Sequence, residues 1–187
     1  MPLTLLLGGA RSGKSALAVR LAGRWDGPVT VVATGEARDA EMAERIRRHR
    51  AGRPGHWPTV EAPREVEAAL AAAPGSAFVV LDCLTLWVSN LMEQGLDDRQ
   101  VEERARSAAA TAAARAAPTV AVSNEVGAGI VPADALARRY RDLLGLVNAV
   151  WSAAADRTLL LVAGRAVPLA DPLDLLGPPS SAAKADG

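Results

Sequence analysis

Five short, almost unbroken apolar runs punctuate the chain: Leu3–Leu7, Val29–Ala33, Ala77–Asp82, Thr119–Ser123 and Thr158–Ala163, with a weaker sixth near Thr59–Glu61. A strand with one wet face alternates polar and apolar residues. The main runs here do not alternate, so they read as strands covered on both sides, as in a parallel sheet. Between them, helical patterns predict helices around Lys14–Trp25, Ala40–Arg50, Arg64–Ala73, Thr85–Met92, Arg99–Ala116 and Pro132–Ala155. Strand and helix in alternation mean βαβ units, right-handed crossovers and an α/β fold with helices on both faces of a mostly parallel sheet. The length of 187 residues suits one domain with one core, placed at 1–167. From Pro168 to Gly187, prolines, small residues and scattered charges replace the pattern, and 168–187 reads as a flexible tail.

The first run opens into Gly8-Gly9-Ala10-Arg11-Ser12-Gly13-Lys14-Ser15, which fits the phosphate-loop pattern G-x-x-x-x-G-K-[ST] in its required strand-to-helix setting. Glycines let the backbone wrap closely round a phosphate chain, so that successive N–H groups form an anion nest. The start of the following helix adds its partial positive charge. Lys14 would reach the β/γ-phosphates and the Ser15 hydroxyl would ligate magnesium. Arginine carries nearly all the positive charge, and the only lysines are Lys14 and Lys184, so a lysine at this position stands out. The third run ends in Asp82. Phosphate-loop proteins commonly hold magnesium with such an acid, although many parallel strands end in aspartate without that role.

Composition mostly excludes. Hydrophobic residues make up 50%, charged residues 22%, and the formal net charge is zero, which argues against disorder and against nucleic-acid binding through bulk charge. One cysteine, Cys83, leaves no internal disulfide framework and points to a reducing compartment. No basic segment precedes a long apolar one at the start, and no apolar run approaches the ~18 residues of a membrane span. The expectation is a soluble, cytoplasmic protein with no membrane insertion.

The two histidines, His49 and His56, sit in the arginine-rich stretch Arg45–Trp57. Asp39 can cap the preceding helix, Glu41–Arg45 and Glu44–Arg48 are i,i+4 pairs, and Gly52 and Pro54 end it. Met42, Ile46 and His49 fall on one face, which sets His49 on or beside the apolar stripe. Nearby arginines would disfavour imidazolium and keep His49 neutral and nucleophilic, and they could also hold a triphosphate. The residues alone leave open both a phosphorus-attacking histidine and a packed structural one. His56, beside Trp57, reads as structural. Ser123-Asn124-Glu125-Val126-Gly127, running on to Pro132, leaves the C-terminal end of a strand, where open α/β sheets bind ligands. Glu125 could be a base, a partner of the magnesium shell or a helix-capping acid.

Together these stretches resemble the bifunctional adenosylcobinamide kinase / adenosylcobinamide-phosphate guanylyltransferase family of cobalamin assembly. The likeness rests on the loop Gly8–Ser15, Ala33-Thr34, Glu41-Met42, Arg45-Ile46, His49, Gly52-Arg53-Pro54, His56-Trp57, Glu61, Asp82-Cys83, Ser123–Gly127 and Gly129–Pro132. Arg138, Arg141-Asp142, Gly145, Asn148, Ala154 and Asp156 extend it, so that it reaches to about Gly164. It implies a RecA-like phosphate-loop fold and two reactions. ATP or GTP first phosphorylates the aminopropanol hydroxyl of adenosylcobinamide. GTP then donates GMP to an enzyme histidine, releasing pyrophosphate, and adenosylcobinamide phosphate takes the GMP to give adenosylcobinamide-GDP.

The position matching the guanylylated histidine is His49; relatives often carry two adjacent histidines, where this chain has Arg48-His49. By the same matching, Ala33, Thr34, Gly35, Arg50, Ala51, Gly52, Arg53, Glu61 and Asp82 are expected at the nucleotide site with the loop, and Ser15 and Asp82 at the magnesium ion. Some relatives have Glu where Asp82 stands. The resemblance also implies a homotrimer with the nucleotide near subunit contacts. Two rival readings share the loop: a kinase for another small metabolite, and a non-catalytic regulatory module that binds nucleotide. Neither would form a covalent GMP adduct.

Overall fold

The computed structural model describes residues 2–176. Seven strands form one sheet: β1 (Leu3–Gly8), β2 (Val29–Ala33), β3 (Thr59–Glu61), β4 (Phe78–Asp82), β5 (Thr119–Val122), β6 (Arg157–Val162) and β7 (Arg165–Leu169), in the spatial order β3-β2-β4-β5-β1-β6-β7. All neighbours are parallel except β6 and β7. Helices α1 (Lys14–Ala22), α2 (Ala40–Ala51), α3 (Val66–Ala72), α4 (Leu84–Glu93), α5 (Asp98–Ala113) and α6 (Ala135–Ala154) make the crossovers, and a short α7 (Pro172–Leu176) follows β7.

The unbroken apolar runs are explained by burial on both faces. Leu5, Leu81 and Ala121 point into a core built with α3, α4, α5 and α6, around Leu70, Trp87, Leu144 and Trp151. Their neighbours Leu6, Val80 and Val120 point the other way, onto Ala18 and Ala22 of α1 and onto Trp57. Each such leucine is fully buried and contributes about 2 kcal/mol of transfer free energy. On α5 the inward positions are small (Ala105, Ala108, Ala109 and Ala112), so the helix backbone packs close.

The expected strands recur within a residue or two at either end. Helix ends differ where a local signal acts. Helix α1 stops at Ala22, because Gly23 bonds back to Val19 and closes the last turn. Helix α6 begins at Ala135 rather than Pro132, because the Asp134 carboxylate accepts from Ala137 N–H and fixes the start there. Strand β7 corrects the expectation that the pattern ends before Pro168. Ala163 and Gly164, both at positive φ, turn the chain back, and Arg165–Leu169 pairs antiparallel along β6. All five β7 residues are exposed at the sheet edge; the short apolar run Ala166–Leu169 is broken by Pro168, a weak strand signal that an edge strand tolerates. The remainder of the proposed tail, 177–187, lies outside the described residues. Among those described, no helix is long and apolar enough to cross a membrane.

Two consequences place the site. Strand β5 lies between the loop strand β1 and the acid strand β4, which is the RecA-like arrangement of a phosphate-loop fold. The register sets Ala33 level with both Glu61 and Asp82, and Asp82 level with Val122. The C-terminal ends of β1 to β5 therefore converge on one edge.

Candidate nucleotide site

The loop from Gly8 to Ser15 is shaped by three residues at positive φ: Gly8, Arg11 and Gly13. Gly8 has no alternative, because a Cβ there would meet the Leu161 carbonyl oxygen of β6 at 2.3 Å. Lys14 is buried, with Nζ donating to the carbonyls of Gly8 and Gly9, each at 2.7 Å, and to Ser12 Oγ at 3.1 Å. Burial lowers the Lys14 pKa, while Cys83 and Asp82 act to raise it. The Ser12 carbonyl accepts from Gly164 N–H, so the β6–β7 turn braces the loop from outside.

Asp82 is the junction of the site. Its Oδ1 lies 3.5 Å from Ser15 Oγ, a weak contact, and its Oδ2 lies 3.1 Å from His49 Nδ1. Thr34 holds the β4 end in place: its Oγ1 donates to the Cys83 carbonyl at 2.7 Å and accepts from Cys83 N–H at 2.9 Å. The Asp82 carboxylate is mostly enclosed, while the His49 ring is half exposed, on the cavity side of α2. The hydrogen bond to Asp82 raises the imidazole above its ordinary pKa; burial and the charges of Arg45 and Arg53 pull it down. This corrects the expectation that surrounding arginines govern the ring. The nearer carboxylate wins, because it is within hydrogen-bond reach.

One cavity of about 1290 Å³ runs along this edge. It takes in Ala10–Ser15, Ala33, Gly35, His49, Arg50, Arg53, Glu61 and Asp82, all expected there. Gly35 sits beside Leu86 and Ile46, and a Cβ there would make ordinary van der Waals contact with them, 3.4 Å from the leucine. Arg50 pairs with Glu61, and Arg53 donates to Thr59 Oγ1 at 3.0 Å, so the end of α2 is tied to β3. Burial lowers the Arg53 pKa, and Asp82 acts to raise it.

Several expected residues do not face the cavity. Gly8 and Gly9 contribute carbonyls that hold Lys14, Thr34 is fully buried in the brace just described, and Ala51 and Gly52 finish α2 on the exposed side. Glu125 accepts from Gly127 N–H within its own loop and neither lines the cavity nor caps a helix. His56 is exposed and edge-on to Trp57, away from the site.

The structure adds residues that spacing did not single out. Glu36 bonds Arg64 and Arg38, and Arg38 Nη2 donates to Asn90 Oδ1 at 2.9 Å, closing the far wall. The Arg38 hydrogen bond lowers the Glu36 pKa. Asn124 and Thr85 also line the cavity. Among the described residues, no group of three or more His, Cys, Asp or Glu could hold a metal by itself. Two hard oxygen donors, from Ser15 and Asp82, suit a magnesium ion that takes its other ligands from phosphate and water.

A family model described as cobinamide kinase / cobinamide phosphate guanyltransferase matches residues 4–169. Among curated proteins, the chain is 42% identical to the bifunctional adenosylcobalamin biosynthesis protein CobP of Pseudomonas aeruginosa, covering 88% of this chain and 95% of that one. It is 40% identical to the bifunctional adenosylcobalamin biosynthesis protein CobU of Salmonella typhimurium, covering 87% and 96%. The protein of the same name from Escherichia coli is 42% identical over the same shares.

Proposed function

The chain belongs to the cobinamide kinase / cobinamide phosphate guanyltransferase family, and from that premise we propose how the cavity at the loop serves two phosphorus centres. As a member of that family it is an enzyme of cobalamin biosynthesis that phosphorylates cobinamide and transfers a guanylyl group to the product. The loop grips the phosphate chain of ATP or GTP. Phosphate oxygens replace the Gly8 and Gly9 carbonyls as partners of Lys14, whose charge then neutralises the donor. Ser15 and Asp82 would hold magnesium, which would supply charge compensation for the phosphate chain.

In the guanylyl step His49 is the nucleophile. With Nδ1–H donating to Asp82, the lone pair stays on Nε2, free to attack the α-phosphorus of GTP. The Nε2–P bond forms as the bond to the pyrophosphate oxygen breaks. The phosphate of cobinamide phosphate then displaces the histidine, which leaves with its electron pair. Arg50, Arg53 and Glu61 line the same cavity as His49 and would contact the nucleoside. The reading rests above all on one observation: a single carboxylate reaches both the loop serine and the histidine. The enzyme acts as a cytoplasmic homotrimer, a reading supported by the lone Cys83 and by exposed Ile130, Val131 and Leu136. The deciding experiment is intact mass after incubation with GTP and magnesium. One acid-labile GMP per chain, discharged by cobinamide phosphate, supports the reading.

A further inference from the structure

We propose that Asn124 is a catalytic residue of the kinase step alone, its carboxamide bridging the γ-phosphoryl group and the acceptor hydroxyl. This rests on the two-reaction reading above. Asn124 leaves β5, the strand between the loop strand and the acid strand, so it stands at the cavity edge between Lys14 and Asp82.

Its backbone is clamped. Asn124 N–H donates to Thr85 Oγ1 at 2.8 Å, its carbonyl accepts from Asn148 Nδ2 at 3.0 Å, and the next N–H, of Glu125, donates to the Gly8 carbonyl at 3.1 Å. Behind it lies a buried polar pair: Ser123 Oγ donates to Asn148 Oδ1 at 2.6 Å, which fixes the way the Asn148 amide faces. Three elements thus fix this residue, yet its carboxamide makes no hydrogen bond among the described residues while lining the cavity.

A carboxamide offers a donor and an acceptor together, and no charge. Nδ2 donates to an equatorial oxygen of the γ-phosphoryl group as charge redistributes there. Oδ1 accepts from the attacking hydroxyl and aligns it. The hydroxyl oxygen forms its bond to the γ-phosphorus, the bond to the β-bridging oxygen breaks, the nucleoside diphosphate leaves with the electron pair, and the hydroxyl proton goes to water. Helix α2, which carries His49, follows β2 on one flank of β4, whereas Asn124 follows β5 on the other. The two residues therefore serve opposite ends of the triphosphate.

The test compares wild type with Asn124→Ala and Asn124→Leu in cobinamide phosphorylation, in GMP-adduct formation, and in calorimetric affinity for GDP with and without beryllium fluoride. The alanine variant is expected to lose roughly 10²–10³ in kinase kcat. Its adduct yield and GDP affinity should hold, while the extra affinity conferred by beryllium fluoride is lost. Asn124→Leu keeps the size, removes donor and acceptor without adding charge, and gives the same split if the alanine variant folds poorly. Unchanged phosphorylation, or equal loss in both reactions, overturns the assignment. If wild type itself phosphorylates no cobinamide, the two-reaction reading falls instead.

Discussion

His49 Nδ1 lies 3.1 Å from Asp82 Oδ2, although thirty-three positions separate the two residues in the chain. Helix α2 brings one and the end of β4 the other, and the half-exposed ring points into the cavity that also holds Lys14. An acid suited to metal binding thus lies within hydrogen-bond reach of the histidine proposed as nucleophile, where it can set that ring's tautomer.

Asp82→Asn should therefore damage both reactions. It removes the negative charge proposed to hold magnesium and weakens the acceptor that orients the imidazole, and a loss of about 10–100-fold is expected for each. Parallel assays of cobinamide phosphorylation and GMP-adduct formation check it. A loss confined to one reaction would separate the two roles.

Metal removal should act through the same pair. Excess chelator is expected to abolish turnover of both reactions, and added magnesium to restore it. Ser15→Ala should raise the magnesium concentration needed for half-maximal rate by about tenfold. Titration of rate against magnesium measures this, and an unchanged midpoint would remove Ser15 from the metal.

Gly8→Ala and Gly9→Ala should part company. Gly8 combines φ 145° with the Leu161 carbonyl at 2.3 Å from any Cβ, whereas a Cβ on Gly9 meets nothing within 4 Å. We expect Gly8→Ala to cost at least about 1–3 kcal/mol and Gly9→Ala to leave stability within about 0.5 kcal/mol, as read by urea unfolding.

Much of this was legible in the chain itself. Unbroken runs such as Phe78–Leu81 show strands buried on both faces, and the loop spelling places Lys14 and Ser15 at a strand-to-helix turn. Two kinds of feature were not legible. Strand β7 has a short apolar run, Ala166–Leu169, but Pro168 within it speaks against a strand, and its pairing depends on the turn at Ala163-Gly164. The contact between His49 and Asp82 is tertiary, so the arginines adjacent in sequence gave the wrong sign for the shift in its pKa. Asn124 was visible only as part of a polar loop, because its importance comes from strand order and from Asn148, a distant partner on α6.

Arg115 offers a test of the fold apart from the chemistry. Its guanidinium donates to the carbonyls of Leu70, Ala73, Pro74 and Ala77, sealing the end of α3 against β4. Arg115→Ala should cost about 2–3 kcal/mol, seen as a lowered melting temperature, with little change in kcat at temperatures where the variant is folded. An unshifted melting curve would show that water replaces the guanidinium without loss.

The most direct measurement is the intact mass of wild type and His49→Ala after incubation with GTP and magnesium. The wild-type chain should gain one acid-labile GMP, lost on adding cobinamide phosphate, and the variant should gain none while still binding GTP. An equal adduct on His49→Ala, or wild-type formation of cobinamide-GDP with no adduct at any time, would contradict the central role of His49.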